Sequence, residues 1–289
     1  MSNSPAAEVG HRLWGGRPGF FPKGMLHVVL FTLGLLMVTP FVWMVLTALK
    51  SYSEIYVYPP RWLPAEPQWN NFAVAWRMAP FARFYFNSIV VTSLITASQL
   101  VFGALSAYAF ARLEFPGREA MFVVFLGTLM IPIQVTMLPL FLVVKWLGWV
   151  NTYPGLIVPF AANAFVIFFL RQFFLTIPKE LEDAATIDGC SRLRFLAQFL
   201  VPLSRPAFVT AGLFTGLAAW NEYVWPLIVT TTTDMRTLPV GLRYFISQTK
   251  SDFHYMMAAS VIVIVPVILV FIALQRHFVE GVTMSGVKG

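Results

Sequence analysis

Charge is what this sequence has least of. Only 11% of its 289 residues are Asp, Glu, Lys or Arg, whereas a water-soluble domain carries about 25%. A surface so poor in charge does not keep a chain of this length in water. The 58% of hydrophobic residues and a mean hydropathy of +0.71 point to lipid as the solvent. Cysteine is nearly absent too. Cys190 stands alone, which excludes an intramolecular disulfide, and no Cys/His spacing suggests a metal site. No G-x-x-x-x-G-K-[ST] loop occurs, so the chain lacks that phosphate cradle. It also lacks an internal repeat and a low-complexity tract. The net charge is +7, but the basic residues are scattered between apolar runs. With no basic stripe or base-stacking module, they argue for orientation in a membrane and against nucleic acid as a partner.

What the chain does have is six apolar runs near the roughly 20 residues a spanning helix needs. They cover 26–49, 86–111, 120–147, 153–170, 207–230 and 256–274. The tail before Lys23 is too polar for a signal peptide, and no small-residue cleavage site follows the first run, so that run reads as a retained span. The chain thus divides into a tail (1–24), one membrane domain (25–278) and a second tail (279–289). Arg171 truncates the fourth run. Pro132 and Pro139 interrupt the third, which is tolerated in lipid where neighbours re-satisfy the freed carbonyls. That run is therefore expected inside a bundle. Arg12, Arg17, Lys23, Arg112, Arg118, Lys179, Arg192, Arg194 and Arg205 fall on one side of the alternation. The positive-inside rule makes it the cytoplasmic side, with both termini there. The opposite side holds two long segments, 50–85 and 231–255, read as lying on the membrane surface. It also carries Arg61, Arg77, Arg83, Arg236, Arg243 and Lys250, so the bias is modest.

The loop between the fourth and fifth runs, 176–205, is the most informative. It contains Pro178-Lys179-Glu180-Leu181-Glu182-Asp183-Ala184-Ala185-Thr186-Ile187-Asp188-Gly189. Pro178 suits a first helical turn, and three acids follow at the positive end of the helix dipole. Leu181, Ala184 and Ala185 are spaced to share a face. Gly189 is placed to end the helix in the left-handed region, and Ser191 to cap a second helix running toward Pro202. A short helix, a corner and another helix should project from the membrane, as a plain connector or as a docking element with small alanines on its face.

This stretch resembles the "EAA" loop of importer-type ABC permeases. Asp183-Ala184-Ala185, Gly189 and Phe199-Leu200-Val201-Pro202 occupy the motif's places, with Asp for the usual Glu and Cys190 where a small residue is usual. The likeness to the carbohydrate-uptake branch, and to the maltose-type second permease subunit, extends further. It includes Asn87-Ser88, Arg171-Gln172-Phe173-Phe174, Trp220 through Leu227, Thr237 through Leu242, and Gly281 with Gly286-Val287-Lys288-Gly289. The resemblance implies an all-α integral membrane fold of six transmembrane helices with a cytoplasmic coupling helix, in a bacterial-type inner membrane. It implies ATPase-coupling roles for Glu182, Asp183, Ala184, Ala185, Asp188, Gly189 and Pro202. It implies four kinds of partner: a second homologous permease, two cytoplasmic ATPases that hold ATP and Mg, an extracytoplasmic solute-binding protein and the bilayer. This chain would then carry no cofactor and perform no catalysis.

Ionisable residues within a span are functional candidates by default. Glu222 is the clear acid, beside Asn221 and Tyr223. The pair lines or gates a pathway, or else hydrogen-bonds neighbouring helices near the interface. Gln99, Gln134 and Asn163 read as helix-joining amides, with a pathway role as the alternative. Trp220, Tyr223 and Trp225 could stack on sugar rings or anchor the interface. Met121, Met130 and Met137 read as packing residues. No basic residue falls convincingly within the spans, which favours a neutral sugar or polyol over a glycerol-phosphate compound. A stand-alone secondary transporter would show repeats and coupling-ion charges, and a membrane-embedded enzyme a convergent catalytic cluster; none is evident.

Overall fold

In lipid a backbone segment must satisfy its own N–H and C=O groups, and helices do so. The computed structural model describes residues 23–247 and 252–286, and among these every regular element is helical. The main helices are α1 (Lys23–Ala48), α2 (Asn70–Met78), α3 (Phe81–Arg112), α4 (Arg118–Gly127), α5 (Ile133–Trp146), α6 (Tyr153–Ile157) and α7 (Ala164–Thr176). They continue as α8 (Glu180–Ile187), α9 (Arg192–Phe195), α10 (Arg205–Asn221), α11 (Val224–Val229), α12 (Leu238–Gly241) and α13 (Phe253–Gly286). Helices α1, α3 and α13 each contain a stretch long and apolar enough to cross a membrane, and three bent pairs raise the number to six if each pair is one span. Arg12, Arg17, Lys250 and the closing Val287-Lys288-Gly289 lie outside the described residues.

Helix α3 is the hub. It packs on α7 and α10, while α13 packs on α1, α2 and α10. At Gly103 of α3 an added Cβ would lie 2.6 Å from Val166 Cγ1, so glycine sets the approach to α7. Gly103→Val is expected to cost about 1–3 kcal/mol through overpacking and to lower the Tm of the purified protein by several degrees. An unchanged Tm would mean that Val166 turns aside freely.

The breaks have local causes. Pro132 holds Ile131 extended, as residues before proline prefer, and α4 and α5 meet at 98° across it. Asn163 is extended at φ −138° and caps α7, its Oδ1 accepting from Phe165 N at 2.8 Å. Glu222 leaves the helical region (ψ 121°), and its Oε1 accepts from Val224 N and Trp225 N at 2.9 and 3.1 Å, starting α11.

Several expectations are corrected. The second run begins at Phe81, because buried Phe81 and Phe84 belong to the same apolar face. The fourth continues through Arg171 to Thr176. Arg171 is neutralised there, 3.1 Å from Glu119, donating to Phe110 O and lying over the Phe122 ring. The third run is not inside this chain's bundle. Only Phe122 and Val144 are buried along α4 and α5, and Met130 is 86% exposed. The prolines break that run without burying it, so Met121 and Met130 do not pack here, whereas Met137 does.

The two long segments do not simply lie on a surface. Buried Asn71 of α2 donates to the carbonyls of Ala48 and Lys50. Lys50 donates to Arg61 O and sits over Trp43; burial pushes its pKa down against the pull of Glu54. Asn87 donates to Asp234 O and Arg236 O, and Leu238 N donates to Ser88 Oγ. Two stretches matched separately by resemblance, 87–88 and 237–242, are therefore bonded to each other.

Candidate functional site

Residues 178–203 form a helix, a corner and a second helix. Lys179 stands at the N-cap of α8, with Pro178 just before it. The C-terminus closes as a Schellman motif. Gly189 sits at φ +78°, its N–H donates to Thr186 O at 3.0 Å, and Cys190 N donates to Ala185 O at 2.9 Å. Ser191 then caps α9 through its carbonyl, which accepts from Phe195 N; its hydroxyl makes no cap bond. Beyond α9 the chain widens into a π-turn, Leu196–Leu200, with Val201 N bonded to Leu196 O. Regular α spacing would drive the half-buried Pro202 ring against the Gln198 carbonyl, and the wider turn relieves that.

Of the alanine pair, only Ala184 faces outward. Ala185 packs inward with Tyr108, Phe174 and Phe195, so the expectation of two open alanines is corrected. Asp183, Asp188 and Gly189 are exposed. Around them Ile187 is 86% and Leu193 67% exposed, and Leu181, Phe199 and Leu203 are also open. The corner thus presents acids and large apolar side chains that nothing among the described residues covers.

Glu182 instead points back to the membrane helices. Tyr108 Oη of α3 donates to its Oε1 at 2.6 Å, and Arg112 Nε lies 3.8 Å from Oε2. At that distance the pair is Coulombic and not a hydrogen bond. Arg112 also donates from Nη2 to Phe174 O at 2.8 Å and Ile177 O at 2.6 Å. Its side chain is 6% exposed and that of Glu182 16%. One arginine thus ties the end of α3 to the last turn of α7 and to α8. Sequence reasoning took Arg112 for an orienting charge and passed over Tyr108. The signal was their spacing of four on one helix face.

The second feature is a cavity of about 300 Å³ between α3, α10, α11 and the turn before α7. Of the six pathway candidates, Gln99, Asn163 and Glu222 line it. Gln134, Asn221 and Tyr223 do not; all three are exposed, with Asn221 bonded to Leu217 O. Gln99 also joins helices, donating to Phe160 O at 2.8 Å. Trp220 and Trp225 are core residues and not interface anchors: both are buried, and Trp225 Nε1 donates to Gly155 O. Ser88, Thr92, Thr215 and Thr237 complete the polar lining, and sequence reasoning had not picked them as pathway residues.

Residues 99–284 match the family described as "Binding-protein-dependent transport system inner membrane component". The chain belongs to this family. The permease is 35% identical over 279 residues to a probable ABC transporter permease protein, YurM, of Bacillus subtilis (strain 168), covering 94% of this chain and 91% of that one. It is 33% identical to the diacetylchitobiose uptake system permease protein NgcG of Streptomyces coelicolor, covering 90% and 87%. It is also 33% identical to the sn-glycerol-3-phosphate transport system permease protein UgpE of Yersinia enterocolitica, covering 90% and 95%. Its fold matches the crystal structure of a bacterial ABC transporter that imports the acidic polysaccharide alginate. The TM-score is 0.79 at 23% identity, over 96% of this chain and 99% of that one. The permease is therefore an integral inner-membrane transport subunit of all-α fold.

Proposed function

We propose that this permease imports a sugar by alternating access, as one of two homologous membrane subunits driven by two cytoplasmic ATPases. The 178–203 corner is the ATPase-docking element. The observation that carries this is its combination of an outward acidic and apolar surface with a rigid inward anchor. Ile187 and Leu193 offer apolar area to a partner, while Tyr108 and Arg112 hold Glu182 so that any push on α8 reaches α3. The bent pairs around Pro132 and before Asn163 act as one span each and α10 as another, giving six with α1, α3 and α13, and the corner and both termini lie in the cytoplasm. ATP and Mg belong to the ATPases, and an extracytoplasmic solute-binding protein delivers substrate to the side of the 231–255 segment. ATP drives the cycle because it binds the closed ATPase state more tightly than the open one.

The substrate reading rests on relatives named for arabinooligosaccharides and diacetylchitobiose. Others, named for glycerol phosphate and sulfoquinovosyl glycerol, make an anionic glycerol compound the alternative. The test is the ATPase activity of the complete complex in lipid, with the binding protein and a panel of sugars, polyols and glycerophosphates added singly. Stimulation by one sugar is the expected result. Stimulation by glycerophosphates alone would select the alternative, and no ATP-dependent response to any compound would overturn the importer reading.

A further inference from the structure

The stretch Arg192–Leu203 meets α10 at 83°. With α10 as a span, that stretch lies in the plane of the membrane. Packing sets its depth. Phe195, Leu196 and Leu200 are buried in one cluster with Ala104, Ala107 and Tyr108 of α3. Helix α3 has 32 residues, about 48 Å at 1.5 Å per residue, against a hydrocarbon core of about 30 Å. Centred in the bilayer, it stands about 9 Å beyond the hydrocarbon at each end. Ala104 lies about 12 Å before the end of α3 at Arg112. The stretch is therefore held where acyl chains give way to headgroups.

Its open side chains are of two kinds. Phe199 and Leu203 are 45% and 53% exposed, and Phe199 stacks on buried Phe195. With them stand Arg192, Arg194 and Arg205, all exposed. Arg194 Nε donates to the neutral Gln198 Oε1 at 3.1 Å. No carboxylate among the described residues pairs with any of the three arginines, whereas Arg112, Arg118, Arg171 and Lys179 each pair with a glutamate. Charge is thus sorted along the loop. Open acids stand on α8 and its end, and unpaired cations gather on the in-plane stretch. Arginines beside open Phe and Leu are the make-up of a helix that lies in the lipid interface.

We infer that residues 192–205 bind an anionic phospholipid of the cytoplasmic leaflet, with Phe199 and Leu203 against its acyl chains and the three arginines at its headgroup. The importer reading enters only in making this side cytoplasmic. That leaflet carries anionic headgroups, which attract basic residues at its surface. A zwitterionic lipid fills the apolar edge but leaves the arginines without a net counter-charge. A soluble ATPase meets the acids and Ile187 of α8, and does not reach apolar side chains held at acyl-chain depth. Bound lipid braces the loop on the far side of Gly189 from α8, so a push on α8 passes to α3.

The test is native mass spectrometry of the permease complex in detergent, titrated with dioleoyl phosphatidylglycerol or dioleoyl phosphatidylcholine. Phosphatidylglycerol should bind at least about tenfold more tightly, since each arginine near an anionic surface contributes about fivefold. The double variant Arg194→Gln with Arg205→Gln should weaken phosphatidylglycerol roughly 25-fold and leave phosphatidylcholine unchanged. Lysine at both positions keeps the charges and should retain most of the binding. All these residues are exposed, so the fold has no reason to fail. Equal binding of the two lipids would overturn the site. So would unchanged phosphatidylglycerol binding in the glutamine variant; if that variant also lost its ATPase subunits, the arginines would belong to the ATPase contact. ATP-driven uptake into proteoliposomes is scored separately. A complex that imports sugar but binds both lipids alike loses only the lipid site. One that binds phosphatidylglycerol through these arginines yet imports nothing loses the importer reading, and the lipid site stands.

Discussion

Arg112→Ala should abolish ATP-driven uptake. Removing the guanidinium leaves the nearly buried Glu182 with Tyr108 alone and strips a donor from the carbonyls of Phe174 and Ile177. Breaking a buried pair by deleting one partner costs roughly 3 kcal/mol or more. That is on the order of a hundredfold in the population of the anchored corner. In the proposed assembly the ATPases should still hydrolyse ATP, with their closure no longer delivered to α3. Uptake into proteoliposomes should fall by about that factor, while trypsin cuts faster within 178–194. Arg112→Lys should be intermediate, since one ammonium cannot replace the planar fork across two carbonyls and a carboxylate. If Arg112→Ala imported within a few-fold of wild type, the tether would have no part in coupling.

Gly189→Asp should be nearly as damaging, for a different reason. A Cβ at Gly189 meets nothing within 4 Å, but the backbone is at φ +78°. The left-handed conformation costs an L-residue on the order of 1–2 kcal/mol, and the new carboxylate joins Asp188 at the negative end of α8. The membrane fold has no reason to fail, because the change lies on the outer surface. The variant should accumulate in the membrane at wild-type levels while its uptake drops at least about tenfold and the ATPase subunits copurify poorly. Gly189→Asn, which tolerates left-handed backbone better, should lose less. Normal uptake and copurification in Gly189→Asp would remove the corner from the docking surface.

The corner was legible because its signals are local. Gly189 after an acidic first turn and a short apolar stretch has few conformations to choose from, and Ser191 and Pro202 bound the next element. The membrane class was legible from composition alone. What sequence could not supply was which polar groups meet. Ser88, Thr92 and Thr237 are ordinary residues in an apolar chain, and only the folding of residues 234–238 onto α3 brings them together. The same holds for Tyr108 and Arg112, 74 and 70 positions from Glu182. Glu222 was picked out as an acid within a span, yet its carboxylate starts a new helix, because a break at that position needs its N–H groups capped. The third run was misplaced because proline was taken as a mark of burial in a bundle. Here it marks a bend, and the bend opens the run's apolar side away from the rest of the chain.

The unbroken course of α3 makes its two ends one mechanical part. Gln99 at the cavity and Arg112 at the corner are 13 residues apart on one helix, about 20 Å at 1.5 Å per residue. A rod of that length with no break in it turns as one piece, so a rotation imposed where Arg112 grips the corner is a rotation of the Gln99 end as well.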